Sequence, residues 1–408
     1  MTYKELLQQR KRRGLQIANS CQVVEKNGVW LVPSQTNPHK VYQVRLMLEG
    51  STCTCEDYAS RRIKCKHVFS VEYTIEKKFN ADGSITITTT KKVSYPQNWP
   101  AYDKAQINQK EAFMKLLYDL CQSIPETPAS KTKGRPKLQL RDMVFTSALK
   151  VFTTFSLRRF MTDSKAAKDM NYIQSTPHYS SVALYMENPE LTPLLNKLIS
   201  LSALPLKAVE TDFSIDSTGF SSSRFVKWFD HKYGKEKDVR VWLKAHVVNG
   251  NSTHIIPAVE ITDAYQSDTT MLEGLVAETH RNFDIRTLEA DKAYSSRKSF
   301  DFLDDLGITP YIPFRQGTTG KPRGHTHLWR KMFNYYTFNQ EQFLTFYHQR
   351  SNAETAFHMI KSKFGDSVRS KTTTAQINEI LLKVLCHNIC VVIQETYELG
   401  IEPNFLGV

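Results

Sequence analysis

Two acidic residues close short segments that the sequence pattern predicts as strands. Asp216 closes the segment of residues 213–215, and Asp291 closes that of residues 288–290. Carboxylates at strand ends sit on rigid supports at a sheet edge, where loops can admit a substrate. Either acid alone is more simply explained as a turn residue, because Asp commonly begins turns after strands.

A third acid, Glu354, belongs to a helix predicted from about residue 340 to residue 363. Tyr347, Arg350, Glu354 and Lys361 share an arc of about 60° on this helix, at about 100° per residue. An apolar stripe lies beside the arc, so the helix can pack on a sheet and present its charged groups at the rim. The alternative is a salt-bridged surface face.

Three carboxylates brought together would suit phosphoryl transfer at a phosphodiester. Asp216, Asp291 and Glu354 could hold two Mg²⁺ or Mn²⁺ ions about 4 Å apart and act as the catalytic residues. Around them, cationic side chains would neutralise phosphates and an aromatic ring could stack on a sugar or base, the candidates being Arg350, Lys361, Lys292 and Tyr347.

Other acids of the same region compete for these roles. Asp212 comes too early in its strand to lie beside Asp216, and Asp268 is placed to cap a helix that begins at Thr269. Asp263 is the third competitor.

A second cluster with chemical potential consists of Cys53, Cys55, Cys65 and His67. Four soft ligands at this spacing can close a tetrahedral zinc site, which leaves no position for water. We therefore predict one structural Zn²⁺ rather than a catalytic one. The alternative is three buried thiols and a surface histidine.

The overall charge points to a polyanionic partner. The 408 residues include 54 Lys+Arg against 41 Asp+Glu, which gives a formal net charge of +13. Such an excess suits double-stranded DNA, because bound phosphates release counterions, although charge alone leaves a basic enzyme of another class open.

Membrane insertion and export are not predicted. The longest apolar stretch, residues 380–393, is broken by Lys383, His387 and Asn388, so it is too short and too polar to cross a bilayer. No apolar segment follows the basic N-terminus as in an export signal. Clustered cysteines in such a chain favour a metal site in a reducing compartment over disulfides.

Composition divides the chain into four predicted parts. Residues 1–95 form a small zinc-binding domain, residues 96–137 a helix and a basic Pro/Ser/Lys linker, residues 138–208 a helical region expected to bind DNA, and residues 209–400 the catalytic domain. In the last part strands alternate with helices, which predicts an α/β core around a mixed sheet.

The linker carries a short basic motif at residues 133–137, KGRPK. Its Gly-Arg-Pro core is that of an AT-hook, which would lay Arg135 into a narrow minor groove. A plain solvated linker is the alternative, because so short a motif often occurs by chance.

The acidic motifs resemble those of bacterial insertion-sequence DDE transposases. Tyr347, Arg350, Glu354 and Lys361 have the spacing of the Tyr-Arg-Glu-Lys signature, and the blocks around Asp216 (IDSTG) and Asp291 (ADKAY) resemble the other two motifs. Ala293 stands where the family often has Gly. The resemblance implies an RNase H-like catalytic core without a large inserted β-domain between Asp291 and Glu354.

The cysteine cluster with the strand pair before it resembles a SWIM-type zinc finger over roughly residues 27–74. Together the two resemblances imply a DNA transposase of a prokaryotic cytoplasm, associated with the nucleoid. It would bind mobile-element ends, cut and join DNA by metal-dependent phosphoryl transfer, and work as a homodimer or larger assembly.

Two other functions remain open from the sequence. The chain could be a metal-dependent DNA nuclease without strand transfer, or a domesticated DNA-binding protein with an idle catalytic core. The presence of all three acids disfavours the idle core. The end sequence, the target site and the strand chemistry are not encoded in any motif that we recognise.

Overall fold

The computed structural model places most of the chain in two compact units, Met1–Gln97 and Asn98–Val408. The residues that it describes are 3–21, 23–26, 28–35, 40–47, 50–61, 63–79, 85–89, 98–125, 138–222, 242–321 and 327–405. The basic linker with Arg135 lies outside these residues.

The first unit combines a four-stranded antiparallel sheet with helices. Its elements are α1 (Tyr3–Ser20), β1 (Val24–Lys26), β2 (Val29–Pro33), β3 (Val41–Met47), β4 (Gly50–Cys53), α2 (Glu56–Arg61), α3 (Lys66–Thr74), β5 (Ile75–Phe79) and β6 (Ile85–Thr89). The order of the sheet is β1-β2-β3-β4, and β5 pairs separately with β6. Helix α3 begins two residues earlier than the sequence pattern predicts.

Helix α1 was not predicted from the sequence, because its residues are mostly polar and basic. It contributes Ile17 to a small core that also contains Trp30, Val44 and Val68. Gly14 marks the close approach of α1 to α3, since a Cβ at this position would lie 2.6 Å from the Cβ of Phe69. The two helices therefore pack at a distance that only a glycine permits.

The second unit begins with helices that enclose one long C-terminal helix. They are α4 (Trp99–Ile107), α5 (Gln109–Cys121), α6 (Leu140–Thr153), α7 (Leu157–Asp169), α8 (Tyr179–Met186) and α9 (Leu191–Ala203). The predicted single helix of residues 104–121 is divided at Asn108, which caps both α4 and α5. The helical character predicted for residues 140–201 agrees with the structure.

A five-stranded mixed sheet forms the centre of the second unit. Its strands are β7 (Asp212–Ser221), β8 (Trp242–Gly250), β9 (Ala258–Asp263), β10 (Thr287–Ala290) and β11 (Thr309–Tyr311), in the order β11-β10-β7-β8-β9. Strands β7, β8 and β9 are antiparallel, whereas β10 and β11 run parallel to β7. Two helices connect them, α10 (Asp268–His280) and α11 (Arg297–Asp305). The predicted mixed α/β core is confirmed.

The C-terminal part differs from the predicted single helix. It contains α12 (Leu328–Phe338), α13 (Gln340–Tyr347), a 3₁₀ turn (His348–Arg350), α14 (Ser351–Phe364) and α15 (Thr373–Leu399). The turn divides the helix predicted for residues 340–363, and α12 was not predicted.

Helix α15 is the central helix of the second unit. By length and composition it could cross a membrane, but 89% of its most apolar 18-residue stretch is buried inside the protein. Its buried polar residues have protein partners, as when Asn388 donates to the carbonyl of Ile256 at 2.7 Å. These features are those of a core helix, for which burial within the protein explains the apolar composition.

Candidate active site and metal centre

Asp216 lies in the middle of β7 rather than at its end, so the predicted strand boundary was wrong. The strand continues to Ser221 because residues 217–221 pair with β8, and Asp216 itself lies opposite Val247. The carboxylate is held by the backbone N–H of Ser217, which donates to Oδ1 at 2.8 Å. Its position in the central strand leaves the side chain only 18% exposed.

Asp291 follows β10 directly, as predicted. Ala290 lies opposite Ile215 in the parallel pair of β10 and β7, so the next residues along these strands are Asp291 and Asp216. The Asp291 carboxylate accepts a hydrogen bond from the backbone N–H of Lys292 at 2.6 Å. The parallel register thus brings two acids from distant parts of the sequence to neighbouring strands.

Glu354 joins them through Arg350. One guanidinium nitrogen of Arg350 donates to Oδ2 of Asp216 at 2.6 Å, and another donates to Oε1 of Glu354 at 2.9 Å. Glu354 lies in the first turn of α14, and its side chain is 63% exposed. The third acid therefore faces the same place as the first two from a separate element.

The electrostatics of Asp216 also indicate that the three acids are close. Burial raises the pKa of Asp216, and the Coulombic influence of Asp291 and Glu354 raises it further. The N–H of Ser217 and the guanidinium of Arg350 oppose this rise. Like charges held this near each other need a compensating cation, which Arg350 supplies within the protein.

This donor set fits hard divalent cations. Carboxylate oxygens are the ligands that Mg²⁺ and Mn²⁺ prefer, and Asp291 and Glu354 lie near enough to Asp216 to influence its charge. A bound cation would compete with Arg350 for the same oxygens. Arg350 was predicted to neutralise phosphates, yet in this structure it contacts the acids.

Lys361 also faces β7. Its ammonium donates to Oγ1 of Thr218 at 2.6 Å and lies 5.3 Å from the centre of the Phe220 ring. Burial lowers the pKa of Lys361, because a half-buried ammonium has lost part of its hydration. This cation therefore lies two positions along β7 from Asp216.

Tyr347 and Lys292 lie at the margin of the acids. Tyr347 ends α13, half-buried, with the guanidinium of Arg350 5.9 Å from its ring centre. Lys292 is exposed, and its carbonyl accepts from Nε of Arg315 at 3.2 Å. A single α-helical face was predicted for the four signature residues. This prediction was wrong, because a 3₁₀ turn separates Tyr347 from Glu354.

Sequence reasoning missed a polar cluster on the other side of Asp216. Nζ of Lys244 lies 2.8 Å from Oδ1 of Asp268, and Nδ1 of His246 lies 3.2 Å from the same oxygen. Ser267, not Asp268, is at the N-cap of α10, so the predicted capping role of Asp268 was wrong. The alternation of Lys244 and His246 on β8 was a visible signal, but their partner comes from a distant helix.

A buried network behind the acids was also missed. Asn251 donates to the carboxylate of Glu289 at 2.6 Å and accepts from the hydroxyl of Ser214 at 2.5 Å. Burial raises the pKa of Glu289 to about 7. Glu289 lies on β10, two residues before Asp291. No pattern in the sequence distinguished Glu289 from a surface acid.

The four predicted zinc ligands converge in the first unit. Cys53 ends β4, Cys55 precedes α2, and Cys65 and His67 lie at the start of α3. All four are buried, and one ligand atom from each lies within 4.8 Å of the others. Three short elements thus bring the four ligand atoms together.

The distances suit a tetrahedral ion. Nδ1 of His67 lies 3.8 Å from Sγ of Cys53 and 4.0 Å from Sγ of Cys65. Typical Zn–S and Zn–N bond lengths place tetrahedral sulfur and nitrogen ligands about 3.6 Å apart. A small contraction would therefore complete the site.

Its surroundings fix the ligands in place. The Tyr42 ring stacks on His67 with ring centres 4.2 Å apart. Burial raises the pKa of the Cys55 thiol, a cost that a bound cation would offset by favouring the thiolate. The buried Cys386, by contrast, donates to the carbonyl of Ala148 and belongs to the core.

Comparison with known families agrees with both clusters. Residues 207–389 match the transposase DDE domain family and include all three acids. Residues 42–76 match the SWIM zinc finger family and include all four zinc ligands. The chain therefore carries a transposase DDE domain preceded by a SWIM zinc finger, the architecture of a DNA-transposing enzyme.

Proposed function

We propose that Asp216, Asp291 and Glu354 hold two divalent cations, Mg²⁺ or Mn²⁺, and catalyse phosphodiester hydrolysis and strand transfer at the ends of a mobile element. The observation that supports this most directly is the double contact of Arg350 with Asp216 and Glu354 beside Asp291. Two of the acids share the guanidinium of Arg350, and the third, Asp291, follows the strand that pairs with the strand of Asp216.

The cations would activate the attacking hydroxyl and stabilise the leaving oxygen. The side chains of this protein would position the DNA around them. With the carboxylates engaged by metal, Arg350 would be available to contact a phosphate. Lys361, held at Thr218, would contact the next phosphate along β7, and Tyr347 and Lys292 would contact the strand at the margin.

The other parts of the chain would hold the DNA. We propose that Cys53, Cys55, Cys65 and His67 bind the structural zinc, and that the first unit, the basic linker with Arg135 and the helices of residues 138–208 bind the element ends. Two ends must be brought together, so the protein would act as at least a dimer on DNA, at the nucleoid of a prokaryotic cytoplasm.

A plasmid carrying element ends tests the catalytic assignment. Full-length protein with Asp216→Asn, Asp291→Asn or Glu354→Gln is expected to lose at least about a hundredfold in cleavage rate and to keep its binding to the ends. Asp263→Asn is the matched control, because Asp263 is an exposed acid at the end of β9.

The products decide between the related activities. Joined element–target molecules are expected from a transposase. Cleavage without any joined product would replace strand transfer with a nuclease function. Near-normal cleavage by the Asp291→Asn protein in Mg²⁺ would contradict the three-carboxylate site itself.

A further inference from the structure

A cavity lined by cationic side chains lies in the second unit, and none of the three carboxylates lines it. Its volume is about 490 Å³, which is within the usual range for ligand cavities. The end of α6, the start of α7, α8 and the segment between α14 and α15 enclose it. The cations that line it are Lys150, Arg369 and Lys371, and the apolar lining residues include Phe155, Leu157 and Met186.

Positive charge exceeds negative charge in and behind this cavity. Lys150 is only 7% exposed, and Lys383, which lies behind it, is 1% exposed. The ammonium of Lys383 donates to the carbonyls of Gly365 and Ser367, both at 2.8 Å. Burial, opposed by Glu379 and assisted by Lys150 and Arg369, lowers the pKa of Lys383 to about 8.

Among the described residues, three acids lie near these cations. Glu379 is buried and accepts from the backbone N–H groups of Arg369 and Ser370 and from the Ser370 hydroxyl. Glu187 lines the cavity and Asp366 lies near Lys383, but both are exposed to solvent. The described cations, two buried and two exposed, outnumber these acids by one, and a net positive charge of this kind attracts an anion into the cavity.

Helix α7 strengthens this attraction. Its N-cap residue Ser156 makes no side-chain capping hydrogen bond, and Ser156 and Leu157 line the cavity. The first N–H groups of this 13-residue helix have no capping side chain, and such groups favour phosphate. Arg369 is held beside them, because its guanidinium donates to the carbonyl of Thr154 at 2.5 Å.

The cavity is connected to the carboxylates along β7. Ser221, at the end of β7, pairs with Ser367 in the segment that leads to Arg369. From Asp216 to Ser221 the strand spans about 16 Å at about 3.3 Å per residue. Lys361 lies between these points at Thr218. This part of β7 is as long as about five base-pair steps of DNA, at about 3.4 Å each, and the cavity residue Arg369 follows Ser367 by two residues.

An exposed aromatic ring at the cavity indicates which anion fits. Phe155 is 49% exposed although it is large and apolar. An aromatic face beside a phosphate site can stack on a base or sugar of the same nucleotide. A cavity with both features suits a nucleotide better than an inorganic anion.

We propose that this cavity binds DNA outside the carboxylate site. Lys150, Arg369, Lys371 and the N-terminus of α7 would hold a backbone phosphate about five nucleotides from the cleaved one, and Phe155 would pack on the adjoining nucleotide. The proposal rests on the DNA cleavage proposed above, but it concerns binding and can be tested without catalysis.

Phosphate-ethylation interference on element-end DNA tests it. Full-length Glu354→Gln protein, which still binds but does not cut, is compared with the same protein carrying Lys371→Gln and Phe155→Ala. Both added changes are at exposed positions, so folding is preserved. Lys331→Gln is the control, because Lys331 is exposed on α12, outside the cavity and outside residues 138–208.

Ethylation of a phosphate about four to six nucleotides from the cleavage position is expected to weaken binding of the Glu354→Gln protein and of the control. The cavity variant should lose this interference, bind about three- to thirtyfold more weakly and show a salt dependence reduced by about one phosphate contact. An unchanged interference pattern in the cavity variant would overturn the proposal.

Two further measurements distinguish DNA binding from binding of a free phosphate compound. If a deoxynucleoside monophosphate or inorganic phosphate stabilises the unmodified protein while the DNA pattern stays unchanged in the variant, the cavity binds a free phosphate compound and the proposal fails. Binding is measured here without cleavage, so an absence of DNA cleavage by the unmodified protein would refute the proposed function alone.

Discussion

Arg350 is the residue whose contacts most constrain the chemistry of the site. It joins Asp216 to Glu354, and it opposes the rise in the pKa of Asp216 that burial causes. A catalytic carboxylate must be ionised to hold a cation. In the proposed site, Arg350 would therefore favour the ionised form of Asp216 that binds a cation.

Replacing Arg350 should shift the pH dependence of cleavage. In Arg350→Gln the pKa of Asp216 loses an influence that lowers it, so the acid limb of the rate profile should move to higher pH. We also expect cleavage at neutral pH to be roughly tenfold slower, the usual cost of a charged hydrogen bond. Rates measured across the acidic, neutral and mildly alkaline range give both values.

Lys361→Gln is the matched control for this measurement. Lys361 contacts Thr218 rather than an acid, so this change should reduce the rate without moving the acid limb. An acid limb at the same pH in Arg350→Gln and in the unmodified protein would contradict the role of Arg350.

Glu289 gives a second prediction, which concerns stability. Its pKa is about 7 in the folded protein, above the ordinary value of 4.5 that applies to the unfolded chain. Between these values the unfolded chain loses a proton that the folded protein keeps, so stability is greatest at low pH and falls as pH rises towards 7. Glu289→Gln should remove this loss and stabilise the protein by about 1–3 kcal/mol at mildly alkaline pH, with little effect at acidic pH.

Urea unfolding at acidic and at mildly alkaline pH, monitored by hydrogen exchange of the five-stranded sheet, measures this difference in stability. Glu341→Gln serves as the control, because Glu341 is exposed on α13. Equal stabilisation by Glu289→Gln at both pH values would mean that the pH-dependent part of the argument is wrong.

At the scale of elements, each cluster depends on connections between short pieces of structure. Strand β7 carries Asp216 to the middle of the sheet, and β10 places Asp291 beside it through a parallel register. In the first unit, β4, α2 and α3 meet at the cysteines and His67, and their core is small. A small domain of this kind usually needs a metal or disulfides to be stable.

Removal of the zinc should therefore unfold the elements around it. The Cys53→Ser/Cys55→Ser protein is expected to lose its one bound zinc per chain and the hydrogen-exchange protection of β3, β4 and α3. Metal analysis and hydrogen exchange of the full-length protein measure both. Cys21→Ser is the control, because Cys21 lies outside the four-ligand cluster.

Retention of one zinc per chain by the double variant would show that other residues hold the metal. Loss of zinc with unchanged protection would show that the metal is bound but does not stabilise the fold.

At the scale of the whole molecule, the boundary between the two compact units lies before helices α4 and α5. Phe113 of α5 stacks on Phe152 of α6 with ring centres 3.9 Å apart, and Leu117 and Leu120 are fully buried in the same core as the sheet. A cut near residue 138, at the predicted end of the linker, would remove these residues. The contacts of the chain place its division after Gln97.

Two truncated proteins test this division. The chain that starts at Asn98 is expected to unfold cooperatively, to nick DNA without specificity and to lose most of its affinity for element ends. The chain that starts at Leu138 should have a much lower Tm, because it exposes the apolar faces that α5 covers. Thermal unfolding and gel-shift titrations at two salt concentrations measure these properties.

Equal Tm values for the two truncated proteins would show that α4 and α5 are dispensable for folding. Full affinity of the chain from Asn98 for element ends would assign end recognition to the second unit.

The sequence by itself determined the chemistry. Residue type and spacing identified the Cys53–His67 cluster and the three motifs around Asp216, Asp291 and Glu354, because metal ligation and phosphoryl transfer require particular side chains. Alternating apolar patterns also predicted the mixed α/β core, since periodicity follows from local geometry. These inferences depend on properties of neighbouring residues, which a sequence displays directly.

Tertiary structure alone decided which side chains meet. The length of β7 depends on pairing with β8, the turn at His348–Arg350 interrupts a helix that periodicity predicts as continuous, and α1 is stabilised by packing on α3. The partners of Arg350, Glu289 and Lys383 likewise come from distant elements. Contacts of this kind depend on long-range packing, which overrides local preference.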